Sequence, residues 1–174
     1  MGSEMCIRDR SDIVIGTGWY ERPKGDPYAG PWKYHPSWNM SLSCPVLIRD
    51  LNDDGKSDLI WGKGHDYGVF AWLGKGFDND GNFLYDEVKI DDSFSQAHAL
   101  HFADLDGDGV DELITGKRVY GHNGRDPGAD DVPVVMYYTW DKEFKNLSKQ
   151  VAAKGAGIGL HIVTADLDGD GDLE

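Results

Sequence analysis

The stretch Asp104-Leu-Asp106-Gly-Asp108-Gly109-Val110-Asp-Glu112 decides the fold of this chain. The same design occurs twice more, as Asp50-Leu-Asn52-Asp-Asp54-Gly55-Lys56-Ser-Asp58 and as Asp166-Leu-Asp168-Gly-Asp170-Gly171-Asp172-Leu-Glu174. In chain order we call these segments loop 1 (residues 50–58), loop 2 (104–112) and loop 3 (166–174). Every copy carries oxygen-bearing side chains at positions 1, 3, 5 and 9 and glycine at position 6. The copies begin 54 and 62 residues apart, which indicates a repeat architecture.

This ligand spacing is typical of a calcium-binding loop, in which the backbone carbonyl of position 7 is a further ligand. Calcium takes roughly six to eight oxygens, so a short loop must turn several carboxylates inward, and glycine permits the sharp turn. The alternative from the residues alone is a solvated Asp-Gly turn without metal. Three matched copies favour the calcium loop, and the expected cofactor is Ca²⁺.

An EF-hand is excluded by the residues directly after each loop. It requires a bidentate glutamate at position 12 and flanking helices, whereas position 12 is Trp61 in the first copy and Thr115 in the second. A dockerin-like loop is excluded because it also needs an acid there. Apolar pairs at positions 10 and 11 indicate that a strand begins at the end of the loop.

The flanking sequences predict an all-β fold. Short apolar runs at residues 46–48, 100–102 and 162–164 lead into the loops. Further strands are predicted at residues 68–73, 84–90 and 132–140. About four strands per repeat is the content of one propeller blade. We therefore predict a β-propeller of four-stranded blades with calcium-binding Asp-rich hairpin loops, incomplete, with about two to three blades present.

The repeats divide the chain into unequal parts. We predict a partial blade at 11–43, complete blades at 44–97 and 98–159, and the start of a further blade at 160–174. Residues 4–10 can be written in codons as a transposon end used to prepare sequencing libraries, so we expect residues 1–10 to be a non-native leader. The chain is then expected to be a fragment whose partners include the remaining blades of a longer propeller.

Composition excludes several classes of protein. The net charge is −14, but the three loops hold 14 of the 31 acidic residues and one of the 17 basic residues, which leaves the rest nearly neutral. No basic stripe indicates nucleic-acid binding, and no apolar run of about 20 residues indicates membrane insertion. Cys44 is expected to be the one native cysteine, which excludes a disulfide framework. No catalytic motif is found, so no catalytic residue is assigned.

The loop motif, its Ala-Asp lead and the following Ile-x-Gly resemble the FG-GAP or VCBS repeat over residues 11–174. The resemblance implies a β-propeller whose loops bind calcium, in an exported protein that is secreted, periplasmic or held at the cell surface. It supports the following ligands: Asp50, Asn52, Asp54, the Lys56 carbonyl and Asp58; Asp104, Asp106, Asp108, the Val110 carbonyl and Glu112; Asp166, Asp168, Asp170, the Asp172 carbonyl and Glu174. Asn52 and Asp53 depart from the pattern of the other copies and are expected to weaken the first site slightly.

A second resemblance concerns the insertions at residues 18–23, 32–35 and 116–128. These are similar to segments of large bacterial propeller proteins, and related repeats form the propeller of aldos-2-ulose dehydratase-type sugar enzymes. The resemblance implies carbohydrate as a partner and a lyase or dehydratase activity as an alternative function.

Three histidines lie near the start of a blade's first strand, the strand that lines the channel of propellers. His98, His101 and His161 are therefore candidates for a divalent metal or sugar site at the channel mouth. The alternative is that each is hydrogen-bonded within the sheet packing.

The Gly-rich loop at residues 117–126 is the second candidate ligand-binding segment. Its polar side chains are Lys117, Arg118, His122, Asn123, Arg125 and Asp126, of which the first five are the candidate ligand contacts. The alternative is a solvated turn. Among the aromatic residues, Trp19, Tyr20, Trp32 and Trp38 are predicted either to stack on sugar rings or, preferably, to fill the space between blades.

These observations predict a calcium-stabilised propeller module of an exported bacterial protein that serves binding or scaffolding. One alternative is the propeller domain of a carbohydrate-active lyase or dehydratase with a metal or sugar site at the channel mouth. Another is a cell-surface adhesion module that binds a surface protein. Whether the chain is an enzyme stays open at this stage.

Overall fold

A computed structural model describes residues 11–40 and 43–173. Within these residues the regular structure is β-strand, apart from one short 3₁₀ turn at His122–Gly124. The strands form three antiparallel sheets. The all-β prediction is confirmed. No helical segment in the described part of the chain has the length and apolar character needed to cross a membrane.

The first sheet has three strands in the order β1-β2-β3, namely β1 (Ile13–Ile15), β2 (Gly18–Glu21) and β3 (Lys33–His35). The turn from β1 to β2 requires glycine at position 18, where φ is +148°. A Cβ atom there would lie 2.1 Å from the backbone oxygen of His35, so the strands can approach only without a side chain.

The second sheet has four strands in chain order: β4 (Ser43–Arg49), β5 (Asp58–Lys63), β6 (Tyr67–Phe77) and β7 (Phe83–Ser95). Loop 1 joins β4 to β5, as predicted. The strands β6 and β7 are longer than the predicted runs, and their pairing contains register shifts that accommodate the extra length.

The third sheet repeats this arrangement with β8 (Leu100–Ala103), β9 (Glu112–Gly116), β10 (Val134–Thr139) and β11 (Ser148–Lys154). Loop 2 joins β8 to β9. Two successive four-stranded antiparallel meanders of this kind are consistent with a partial propeller, and the sheets do not close into a ring. The predicted domain boundaries stay predictions, and the leader at residues 1–10 lies outside the described residues.

The hydrophobic core lies between the sheets. One cluster joins the second and third sheets and includes Ile60, Val69, Leu100, Leu113, Met136 and Tyr138. A second cluster joins the first and second sheets and includes Trp19, Trp38, Met40, Leu59, Trp61, Trp72 and Phe83. Each fully buried large side chain contributes about 1.5–3 kcal/mol relative to an exposed one. Packing between neighbouring blades, rather than one central core, therefore stabilises the fold.

The predicted strand at residues 162–164 is wrong, because the structure has no strand there. The runs before loops 1 and 2 are strands because each pairs with the strand directly after its loop. No equivalent partner for residues 162–164 occurs among the described residues, and an apolar run without a partner does not form a ladder.

Candidate metal sites

The three loops share one internal hydrogen-bond pattern. The carboxylate at position 1 accepts a hydrogen bond from the backbone N–H of position 6, and the carboxylate at position 5 accepts one from position 7. The first distance is 2.8 Å for Asp50 and Gly55, 3.0 Å for Asp104 and Gly109, and 3.0 Å for Asp166 and Gly171. The second is 2.9 Å for Asp54 and Lys56, 2.7 Å for Asp108 and Val110, and 3.0 Å for Asp170 and Asp172. These local bonds fix the turn and hold the carboxylates on its inner side.

The backbone is left-handed at two positions of each loop. At position 6, φ is +81° in loop 1, +87° in loop 2 and +99° in loop 3, and all three residues are glycine. At position 4, loops 2 and 3 also have glycine, whereas loop 1 has Asp53 at φ +58°. Glycine adopts the left-handed region without steric cost, whereas a residue with a Cβ atom adopts it at a cost in free energy. Loop 1 therefore carries strain that the other two loops lack.

The carboxylates at positions 1, 3 and 5 converge. In loop 2, one oxygen each from Asp104, Asp106 and Asp108 lies within 4.8 Å of the others, and loop 3 brings Asp166, Asp168 and Asp170 together in the same way. Clusters of hard oxygen donors fit the coordination that Ca²⁺ prefers. The structure thus brings these six predicted ligands together, and their binding of calcium stays a prediction.

Loop 1 differs in having a lysine beside its acids. The Lys56 ammonium lies 2.8 Å from Asp54 Oδ2, and this hydrogen bond lowers the pKa of the Asp54 carboxyl. Asn52 supplies an amide oxygen instead of a carboxylate at position 3. A cation entering loop 1 would displace Lys56 from Asp54, so this loop fits calcium less well than loop 2.

In loops 1 and 2, the side chain at position 9 connects the loop to its sheet. Asp58 is fully buried, and its two oxygens accept hydrogen bonds from the backbone N–H groups of Leu51 (2.8 Å) and Gly74 (2.6 Å). In loop 2, Glu112 accepts one from Leu105 N–H at 2.7 Å. A carboxylate oxygen has two lone pairs, so these bonds leave capacity for a metal. Glu174, the corresponding residue of loop 3, lies outside the described residues.

Burial and neighbouring acids disfavour the charged form of these position-9 side chains. Burial raises the pKa of Asp58, and repulsion by Asp54 and Asp50 raises it further. Burial also raises the pKa of Glu112, as does repulsion by the acids of loop 2. The two backbone hydrogen bonds to Asp58 and the one to Glu112 lower the pKa of each carboxyl without cancelling the increase. A bound cation would stabilise the charged carboxylates at just these positions.

The comparison with protein families agrees with this geometry. The model of the FG-GAP-like repeat matches residues 50–115, from the first residue of loop 1 into β9. This segment is therefore similar to an FG-GAP-like repeat. Repeats of this family often bind calcium, in agreement with the acidic clusters of the loops. Searches of curated proteins and of solved structures find no match.

The three predicted histidines lie in different surroundings. His98 lies just before β8 and is 7% exposed, whereas His161 is exposed. His101 is half-buried, with its Nε2 atom 3.2 Å from Thr164 Oγ1. Burial lowers the pKa of His98 to about 4, with a further contribution from the charges of Arg118, His65 and His122. His98 is therefore neutral near pH 7, and a shared channel site for the three residues stays a prediction.

The Gly-rich loop after β9 has a buried half and an exposed half. Lys117 is fully buried and donates to the backbone carbonyls of Arg118 (3.3 Å) and Ala129 (3.2 Å), so it holds the loop closed. Asn123 and Arg125, in contrast, are exposed. Lys117 thus supports the loop from inside, and ligand binding by the exposed pair stays a prediction.

Arg118 and His122 meet Asp126 of the same loop and His65, which the sequence did not indicate as a site residue. Arg118 Nη2 lies 2.6 Å from Asp126 Oδ2, and the Nδ1 atoms of His122 and His65 each lie 3.2 Å from the Asp126 carboxylate. His65 comes from the turn between β5 and β6. No local pattern marks it, since its partners lie 57 and 61 residues further along the chain.

The aromatic residues divide between core and surface. Trp19 and Trp38 are buried in the cluster between the first two sheets, as the interblade interpretation predicts. Trp32 is half-buried and donates through Nε1 to the carbonyl of Pro27 at 2.9 Å. Tyr20 is half-buried and packs against Tyr34 with ring centroids 5.0 Å apart.

Proposed function

We propose that this chain is a calcium-stabilised FG-GAP/VCBS-type β-propeller module of an exported bacterial protein, serving binding or scaffolding. The observation that carries the proposal is the convergence of three acidic side chains at the same positions of loops 2 and 3. FG-GAP-like repeats are typical of extracellular proteins, where calcium is millimolar. Calcium loops of low affinity suit that concentration.

The calcium ligands would come from positions 1, 3, 5, 7 and 9 of each loop. Bound calcium supplies positive charge among the carboxylates and so removes their mutual repulsion. Loop 2 carries this argument best, because Asp104, Asp106 and Asp108 converge and have no basic residue within their own loop. The ion would also tie β8 to β9 through Glu112, which links structural stability to calcium.

A groove between loops 1 and 2 supports the binding role. It has a volume of about 380 Å³ and is lined by Arg49, Asp53, Phe102, Trp140 and Lys142, among others. The Arg49 guanidinium lies over the Phe102 ring, 4.8 Å from its centroid, and forms an ion pair with Asp111. Aromatic rings beside charged groups at a loop face suit a polar ligand such as a carbohydrate or a protein surface.

The lyase or dehydratase alternative depends on a histidine that acts as a general base. His98 is neutral near pH 7, but its pKa of about 4 makes it a weak base, and it is 7% exposed. Efficient proton transfer requires a pKa near the working pH and contact with the substrate. These properties favour binding over catalysis, and adhesion through the loop face is the form of binding that the groove supports.

A calcium titration tests the proposal. Calcium at about one hundred times its dissociation constant adds about 2.7 kcal/mol to the free energy of unfolding. For a chain of this length each kcal/mol raises the melting temperature by roughly 2–4 °C. We therefore expect Ca²⁺ to raise the melting temperature by roughly 5–10 °C over the chelated protein, with equimolar Mg²⁺ as the control. Equal melting curves with Ca²⁺ and with chelator would contradict structural calcium.

A further inference from the structure

A cluster of two histidines and one aspartate lies apart from the three acidic loops. Its members are His65, in the turn between β5 and β6, and His122 and Asp126, in the loop after β9. One potential ligand atom from each residue lies within 4.8 Å of the others. The cluster therefore joins the second sheet to the third at a point where neither the motif nor the proposed function requires a metal.

The orientation of the rings brings their nitrogens together. The imidazoles of His65 and His122 are stacked, with centroids 4.3 Å apart and an interplanar angle of 11°. Both Nδ1 atoms face the Asp126 carboxylate at 3.2 Å. Two nitrogens and one carboxylate thus converge from two segments of the chain on one small volume.

Neighbouring groups hold these residues in place. Arg118 donates to Asp126 at 2.6 Å and fixes the carboxylate. The ring of His98 meets that of His65 edge to face, with centroids 4.9 Å apart, and its buried Nε2 atom has no hydrogen-bond partner among the described residues. His122 has a left-handed backbone, with φ at +49°, a conformation that costs free energy and that here directs its ring to the cluster.

We propose that His65, His122 and Asp126 bind a divalent transition-metal ion such as Zn²⁺. Imidazole nitrogen is a borderline ligand that favours zinc and its neighbours in the first transition series, whereas calcium prefers oxygen alone. Two imidazoles and a carboxylate leave room for water or an exogenous ligand in the remaining positions. The His122 side chain is 54% exposed, which gives an ion access from solvent.

Metal binding at this cluster replaces hydrogen bonds by metal–ligand bonds. With a proton on Nδ1, each imidazole donates a hydrogen bond to the Asp126 carboxylate. On binding, that proton shifts by way of solvent to Nε2 of the same ring, which frees the Nδ1 lone pair for the metal, and the carboxylate keeps its negative charge. The ion would then cross-link the β5–β6 turn to the loop after β9.

Spectroscopic titration with Co²⁺ tests this site. The full chain is first saturated with Ca²⁺, so that the acidic loops are filled, and Co²⁺ is then added while visible d–d absorption is recorded. Competition with Zn²⁺ gives the relative affinity. We expect one equivalent of Co²⁺ with nitrogen-ligand absorption, displaced by Zn²⁺ but not by more Ca²⁺.

The variants His122→Gln and His65→Gln should each weaken Co²⁺ binding by at least about tenfold, since even loss of a group that only orients a ligand has that effect. The matched control is Asp130→Asn, which removes an exposed carboxylate outside the cluster. If His65→Gln impairs folding, His122→Gln decides, because its side chain is half-exposed. The proposal is overturned if the wild-type chain binds no Co²⁺ after calcium saturation, or if His122→Gln binds it as tightly as Asp130→Asn does.

Discussion

Loops 2 and 3 have the same internal geometry in different surroundings. Loop 2 joins two paired strands, whereas loop 3 has no strand on its N-terminal side. Nevertheless, the bond from the position-6 N–H to the position-1 carboxylate is 3.0 Å in both loops, and three carboxylates converge in each. The turn is therefore encoded within about nine residues, because its hydrogen bonds run between neighbours in sequence. What loop 2 adds is a mechanical connection to a sheet.

Loop 1 extends the comparison in the other direction. Like loop 2 it joins paired strands, but it contains Asp53 in a left-handed conformation and Lys56 against Asp54. The second sheet thus accommodates a loop with backbone strain at Asp53, in which Lys56 neutralises part of the acidic charge. Attachment to the sheet and quality of the cation site are separate properties, and the three loops combine them differently.

The largest expected effect separates calcium binding by a loop from stabilisation of the fold by that calcium. The double variant Asp106→Ala with Asp108→Ala should lose one calcium ion and up to about 2.7 kcal/mol of calcium-dependent stability, since loop 2 connects β8 to β9. The matched variant Asp168→Ala with Asp170→Ala should also lose one ion but leave the melting temperature almost unchanged. Calorimetric calcium counts and melting curves with and without calcium measure both effects. Equal losses of calcium-dependent stability in the two variants would show that the stabilisation by calcium does not depend on the strands that flank the loop.

A smaller effect concerns pH and the attachment of loop 2. Because burial and neighbouring acids raise the pKa of Glu112 above 4.5, the folded chain holds this proton more tightly than the unfolded chain. Its contribution to stability is full below pH 4.5 and is lost as pH rises through the folded-state pKa.

Glu112→Gln retains an acceptor for Leu105 N–H but cannot titrate. With a chelator present, the free energy of unfolding of the wild type relative to this variant should therefore fall as pH rises from 4.5 toward neutrality. Added calcium should abolish this decrease. Denaturant unfolding at a series of pH values measures the difference, with Asp80→Asn as a control outside the loops. A free-energy difference between wild type and variant that rises with pH would contradict a raised pKa of Glu112.

The smallest expected effect sharpens the contrast between loops 1 and 2. Asp53→Gly should raise the free energy of unfolding by about 0.5–1 kcal/mol, because glycine relieves the left-handed strain at position 4. The reverse change in loop 2, Gly107→Asp, should destabilise by a similar amount. Calcium affinity should change little, since position 4 supplies no ligand. A destabilised Asp53→Gly variant would mean that the Asp53 side chain has a contact more important than its strain.

Much of the fold was readable from sequence because its signals are local. Apolar runs and the nine-residue loops predicted the strands of the second sheet and three strands of the third, but not β11 (Ser148–Lys154). The run at residues 162–164 shows the limit of this reasoning. Its composition is that of a strand, but strand formation depends on a partner, and the sequence pattern does not show whether one is present.

The candidate ligand-binding residues were harder to predict. Lys117 is of a residue type expected to contact a ligand. In the structure, however, its side chain is buried and its ammonium donates to a backbone carbonyl of the same loop region. Burial depends on what packs over a residue, and for Lys117 this is a loop folded back by twelve residues. His65 was not predicted as a site residue because its partners, His122 and Asp126, lie in the loop that follows β9 of the next sheet.

The sequence by itself determined the all-β class, the strand–loop–strand hairpins at loops 1 and 2 and the converging carboxylates of the loops, because each depends on residues close together in the chain. Tertiary structure alone decided that Trp19 and Trp38 are buried between sheets and that His65, His122 and Asp126 meet. These contacts join segments that are far apart in sequence. Their geometry depends on how one sheet packs on the next, which a linear pattern does not encode.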